Sequence, residues 1–179
     1  KGKYKDRIGL FISMDGAGGG DDVTHGAVGS RRYRVTFKGP GGHSYGAFGL
    51  VNPAFAMGNA IAKFATMKVP ETPKTTFSVG VVGGGTSVNS IPFESWMEID
   101  MRSASPSALA ALEKTFLDHM RQAVTEENAV RSTAQGPITV DLTIIGDRPS
   151  GETPHDSSIV QTMSAAITAG IGVAVNSRR

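Results

Sequence analysis

Arg32-Tyr33-Arg34-Val35-Thr36-Phe37-Lys38 is the stretch from which the fold can be read. Tyr33, Val35 and Phe37 fall on one side of an extended chain, and Arg32, Arg34, Thr36 and Lys38 on the other. This two-residue period belongs to a strand with one buried face. Such a face needs a covering layer, and two helices downstream can supply it. Asn52-Pro53 reads as a cap followed by proline at the first helical position. Met57, Ile61, Phe64 and Ala65 follow at helical spacing, and Val69-Pro70 closes the segment. Ser105-Pro106 repeats the signal ahead of Leu109, Leu112, Phe116, Met120 and Ala123, an apolar stripe on one helix face. Three further alternating runs complete the set: Phe77, Val79 and Val81; Met97, Ile99 and Met101; Val140, Leu142 and Ile144. The order predicts an α+β fold, a ferredoxin-like βαββαβ domain with an antiparallel four-stranded sheet and two helices on one face.

Outward from this unit, Ile8 to Met14 is a short apolar run that predicts a buried strand ending at Asp15-Gly16. Gly146 to Pro154 reads as a loop. Asp156 or Ser157 then caps a last helix that carries Val160, Met163 and Ile167 and ends at Gly170. In the usual 4-1-3-2 strand order the first and fourth strands are neighbours. The chain would enter near Ser30 and leave near Gly146 side by side, the geometry of a domain inserted into another.

The 179 residues are 39% hydrophobic and 19% charged, enough apolar material for a core and too much for wholesale disorder. No apolar run approaches the roughly 20 residues that span a bilayer, so no membrane partner is expected. The net charge of +2 is too small to imply a nucleic-acid field. The βαββαβ order is also that of RNA-recognition modules, but those need stacking aromatics on their central strands. Here Trp96 stands beside Glu98, Asp100 and Arg102, an acidic face that repels phosphate, and no nucleic-acid partner is expected. The chain contains no cysteine, which excludes thiolate metal sites and cysteine nucleophiles within it. Compartment does not follow from that, with a cytoplasmic location favoured.

Of the four histidines, His119 reads as a helix-surface residue, His155 as a loop residue, and His25 offers no partner by spacing. His43 differs by its setting, Gly39-Pro40-Gly41-Gly42-His43-Ser44. Flanking glycines let the backbone approach a ligand and aim an imidazole from a loop tip. A turn that merely contains a histidine is the competing reading. Gly83 to Gly85 lacks a following Gly-Lys-Ser/Thr and reads as a hairpin loop.

The run from Gly29 to Ser44 resembles the start of the lid, or dimerisation, domain of the zinc-dependent metallopeptidase family that includes aminoacylase, carboxypeptidase G, succinyl-diaminopimelate desuccinylase and tripeptidase. Ser87-Val88-Asn89-Ser90-Ile91-Pro92, Asp100-Met101-Arg102 and Gly146-Asp147-Arg148-Pro149 resemble the same family, in the same order. The resemblance implies residues 1–30 as the fringe of a catalytic domain, 31–146 as the lid, and 147–179 as a return into the catalytic domain. It implies a homodimer through the lid, two zinc ions in the complete enzyme, and a small peptide or N-acyl amino acid as substrate. His43 matches the histidine that reaches the partner subunit's active site, Asn89 the lid asparagine near the substrate, and Arg102 the arginine that binds a substrate carboxylate. Asp15 resembles a carboxylate that ligates one zinc.

Each residue type suits its implied role. An imidazole N–H can stabilise an oxyanion, an amide can donate beside it, and a guanidinium fork fits a carboxylate. For Arg102 the competing reading is a surface ion pair with Asp100 or Glu98, and for Asp15 a simple turn. The remaining metal ligands and the general base do not occur in this sequence. The chain is therefore expected to be part of a larger enzyme, with no zinc bound and no activity alone. The alternative is a stand-alone dimerisation or small-ligand-binding module. Thr75 to Val82 would form an uncharged sheet edge, which a symmetric second copy could cover together with the helix beginning at Asn52.

Overall fold

The structure is a computed structural model that describes residues 4, 7–14, 20–172 and 174–178. Its strands are β1 (Asp22–Thr24), β2 (Gly26–Ala27), β3 (Gly29–Lys38), β4 (Gly42–His43), β5 (Thr75–Gly84), β6 (Ser90–Ile91), β7 (Glu94–Ser103), β8 (Thr139–Arg148), β9 (Gly151–Glu152) and β10 (Asn176–Arg178). Its helices are α1 (Pro53–Ala65), α2 (Pro106–Val130) and α3 (Ser158–Ile171). The chain divides into two compact units, residues 28–150 and the pair of segments 1–27 and 151–179.

In the larger unit β5, β7, β3 and β8 lie in that order in one four-stranded sheet, with every neighbouring pair antiparallel. The alternation at Tyr33, Val35 and Phe37 does what its period predicts, for these side chains are buried along with Met97, Ile99 and Met101 across the β3–β7 pairing. Leu109, Leu112, Phe116, Met120 and Ala123 of α2 and Ala56, Ala60 and Phe64 of α1 close over the same face in one core. Phe116 and Phe64 meet edge-on at 5.4 Å, and each ring tilts against a strand aromatic, Tyr33 and Phe77 respectively. The opposite face carries ion pairs between strands, Arg34–Glu98 at 2.8 Å and Arg32–Asp100 at 2.7 Å. Both caps form as expected: Asn52 accepts from the Ala54 N–H, and Ser105 from the Ala108 N–H.

Several expectations need correction. The loop expected over Gly146 to Pro154 is mostly strand, because β8 continues through Arg148 on its pairing with β3 and Gly151–Glu152 pairs with β2 as β9. Helix α1 stops at Ala65 instead of reaching Val69, because the Thr66 hydroxyl and N–H both bond to the Lys63 carbonyl and end the ladder. Helix α3 passes Gly170 to end at Ile171, where Gly172 with a φ of +73° supplies the left-handed turn, and Ser157 stands at its N-cap position without a side-chain cap bond. The strand expected at Ile8–Met14 does not form. The apolar side chains there are at least half exposed, and among the described residues no strand hydrogen-bonds beside them. Without a ladder, apolar residues alone do not make a strand. In this smaller unit β1 pairs with β10 in parallel, β2 pairs with β9 antiparallel, and Val160 of α3 is buried.

Glu127 is the one acidic side chain among the buried polar residues of the described part of the chain. One carboxylate oxygen accepts from the Asn52 N–H at 2.8 Å, and the other from Arg131 at 2.7 Å. It ties the end of α2 to the start of α1. Glu127→Ala should therefore lower unfolding free energy by about 2–3 kcal/mol. Glu127→Gln, which keeps an acceptor for Asn52, should lose less. Denaturant midpoints at unchanged m-value measure both.

A second expectation concerns Tyr33. Burial, and then the Glu113 carboxylate to which its hydroxyl donates at 2.5 Å, push the phenol up to about 12. The proton held by the folded state is lost from the unfolded chain near its ordinary value of 10.0. Stability is thus fully present below pH 10.0 and falls as pH rises towards about 12. Urea titrations across that window should show the fall in the native protein and a shallower one in Tyr33→Phe.

Candidate functional site

His43 is held by backbone on both sides. Gly42 and His43 form β4 and pair with Ile91 and Ser90 of β6, and the Ser44 N–H donates to the Asn89 carbonyl at 2.9 Å. The two uncharged loops that carry His43 and Asn89 are thereby stitched together at the end of the sheet where Lys38 faces Glu94. Gly41 makes this approach possible. Its φ is +69°, and a Cβ there would sit 2.6 Å from the Phe93 ring, so the aromatic packs directly on the backbone. Beyond the loop, the Val51 N–H donates to the Ser132 carbonyl and the Ser132 N–H to that of Gly49, which anchors the other side of the loop.

The hydrogen bonds define which imidazole nitrogen is presented. Nδ1 of His43 accepts from the N–H groups of Tyr45 and Gly46 at 3.3 and 3.4 Å. The neutral ring therefore carries its proton on Nε2, as a donor. Asn89 is oriented likewise: its Oδ1 accepts from the Ser87 hydroxyl at 2.6 Å, which leaves the Nδ2 hydrogens as its donors. Two neutral donors thus issue from adjacent loops.

Arg102 lies elsewhere. Its strand neighbour on β3 is Ser30, eight residues from Lys38, so about 26 Å of extended chain separates it from the His43 end. Arg102 Nε donates to Asp100 at 2.6 Å, and Arg32 binds the same carboxylate. Burial works against ionisation of Asp100, but the bonds from Arg32 and Arg102 outweigh it and hold the carboxyl below its ordinary value. Arg102 is therefore in the ion pair weighed from its sequence neighbours, with nearly half of its side chain still exposed. Asp15 lies outside the described residues. Among the described residues no group of three or more His, Cys, Asp or Glu side chains could hold a metal ion. His25 and His155 contact edge-on at 5.7 Å in the smaller unit, and His25 Nδ1 bonds to the Thr153 carbonyl. No described helix is long and apolar enough to cross a membrane.

Two contacts behind this arrangement differ in how far the sequence marks them. Glu127 was legible in principle, because an acidic residue continues the Phe116, Met120, Ala123 stripe at helical spacing. The contact of Phe93 with Gly41 carries no local sequence signal.

Residues 25–128 match the family model described as the peptidase dimerisation domain, of the M20 type, and the chain belongs to that family. Solved structures agree at the level of fold. A hydantoinase/carbamoylase-family amidase from Burkholderia vietnamiensis superposes with a TM-score of 0.70 at 18% identity, covering 87% of this chain and 36% of that one. Aminopeptidase PepT from Bacillus cereus gives 0.71 at 17%, covering 93% and 42%. A tripeptidase from Staphylococcus aureus gives 0.65 at 19%, covering 87% and 39%. The chain thus spans 36–42% of the length of these three proteins. No curated protein matches it significantly.

Gly41→Ala should disturb the site more than its size suggests. The left-handed backbone costs about 1–2 kcal/mol for a residue with a Cβ, and the Phe93 ring must move as well. A lowered melting temperature together with shifted His43 ring resonances in NMR is expected. Unchanged resonances would show that the loop does not depend on Gly41.

Proposed function

We propose that this chain is the dimerisation and substrate-capping domain of a zinc-dependent peptidase or amidohydrolase that cleaves an amide or peptide bond of a small substrate. The observation that carries the reading is the short β4–β6 ladder that joins the loops of His43 and Asn89, with His43 Nδ1 and Asn89 Oδ1 each accepting a local bond, so that Nε2–H and the amide N–H groups remain as donors. Addition of a nucleophile to an amide carbonyl builds charge on oxygen, and fixed neutral donors stabilise that charge without reorganising. His43 acts as the oxyanion donor and Asn89 as a second donor to the same oxygen or to the substrate backbone. Arg102 binds a substrate carboxylate with the guanidinium nitrogens not engaged by Asp100. The described residues do not fit a zinc site, so the zinc ions of the complete enzyme would be held by other residues, Asp15 among them, and no step here runs through them.

The wide separation of Arg102 from His43 supports a site shared between two copies, with His43 and Asn89 acting across the dimer. The sheet has an edge suited to that assembly. Strand β5 is a sheet edge without a single charged residue, and Val81 and Val82 are about half exposed. The other edge, β8, carries Asp141, Asp147 and Arg148. Helix α1 adds the exposed Phe55. A second copy paired along β5 and α1 would cover an edge that is otherwise a pairing hazard.

In the complete enzyme His43→Ala should lower kcat by about 10²–10³, the usual cost of an oxyanion donor, with metal content unchanged. Mixing His43→Ala subunits with subunits lacking a metal ligand should restore one working site per heterodimer. Heterodimers that form and stay inactive would refute the cross-subunit role. Light scattering should give a dimer for the native chain at tens of micromolar and a monomer for Val82→Lys, whose side chain is solvent-facing and whose fold should survive.

A further inference from the structure

The surroundings of the His43–Asn89 end are unlike those of the Arg102 end. Between Lys38 and Lys63, and again between Lys74 and Glu94, the sequence has no Asp, Glu, Lys or Arg. These are the two segments that β4 and β6 bring together. Within them large apolar side chains are almost fully exposed: Tyr45 at 90%, Phe48 at 91% and Val88 at 103%. Their backbone ties them to the donor pair. The Tyr45 N–H bonds to the His43 ring, the Phe48 N–H to the Tyr45 carbonyl, and Val88 directly precedes Asn89. Phe93, two-thirds exposed, lies over Gly41 at the base of the same loop. By contrast Arg102 sits with Arg32 and Asp100, two cations around one anion.

Resting on the function proposed above, we infer that the substrate group received beside His43 and Asn89 is uncharged and apolar, an aromatic or branched aliphatic acyl or side-chain group held against Tyr45, Phe48 and Val88. Exposed aromatic surface gains by burial against an apolar group. A carboxylate placed against Tyr45, Phe48 and Val88 would lose its hydration and find no Lys or Arg in either segment to replace it. The substrate class is then a dipeptide or N-acyl amino acid whose anionic terminus lies at the Arg102 end and whose other part is apolar. Acidic acyl groups such as succinyl are disfavoured.

The test uses the complete enzyme and two matched pairs of substrates, N-benzoyl-leucine with N-succinyl-leucine and Phe-Leu with Glu-Leu. The native enzyme should favour the apolar member by at least tenfold in kcat/KM, the scale on which hydrophobic pockets discriminate. Tyr45→Ser combined with Phe48→Ser should reduce that ratio by about tenfold. Phe48→Arg should shift it towards the acidic member. All three changes fall on exposed side chains, so folding should be retained. His43→Ala should lower turnover of both members equally and leave the ratio unchanged. If His43→Ala abolishes turnover while the native enzyme favours the acidic member, or the Tyr45 and Phe48 variants leave the ratio alone, the apolar assignment is wrong and the proposed function stands. If none of the four compounds is hydrolysed, or His43→Ala changes nothing, the functional reading itself fails and takes this inference with it.

Discussion

One constraint governs the larger unit: the β3–β7 pair is apolar on a single face. Tyr33, Val35 and Phe37 lie opposite Ile99, Met97 and Ser95, and a slip of β3 by one residue would send its three apolar side chains to the face that carries the ion pairs. Two helices must cover the apolar face, and the paired aromatics Phe64 and Phe116 at its centre leave little freedom in how they do so. Helix packing, strand order and the polarity of the outer face follow from that requirement. The salt bridges outside contribute little energy but favour the same register, since Arg34 meets Glu98 and Arg32 meets Asp100 only in this alignment.

The candidate site depends on the same constraint at one remove. With β3 and β7 in register, the chain leaves β3 at Lys38 beside the point where β7 begins at Glu94. The loops on those two ends have no alternative but to lie together, and β4 and β6 are the short ladder that results. His43 and Asn89 become neighbours although 45 residues lie between them in the chain. Arg102, at the far end of β7, is kept away by the length of the strand itself.

The smaller unit shows the limit of local pattern. Ile8 to Met14 is as apolar as the strands of the sheet, yet it forms none, while the less apolar Asp22–Thr24 does so because Asn176 and its neighbours lie alongside. Strand formation there is decided by the presence of a hydrogen-bonding neighbour, which composition does not encode. Helix α3 is legible because a helix satisfies its own backbone, and it differs only at its ends, in its last turn and in a Ser157 that makes no side-chain cap bond.

What the sequence by itself determined is therefore the set of self-sufficient features: period-two strands, capped helices, the face each would bury, and the glycine-rich setting that marked His43. These are local because alternation, capping and left-handed turns act within a few residues. Tertiary structure alone decided the rest. It joined the Asn89 loop to that of His43, turned Nδ1 inward so that Nε2 donates, committed Arg102 to Asp100, and used Glu127 to bind the two helices. Each of these is a contact between residues whose meeting is set by strand register and helix packing, and such contacts leave no periodic trace in the chain.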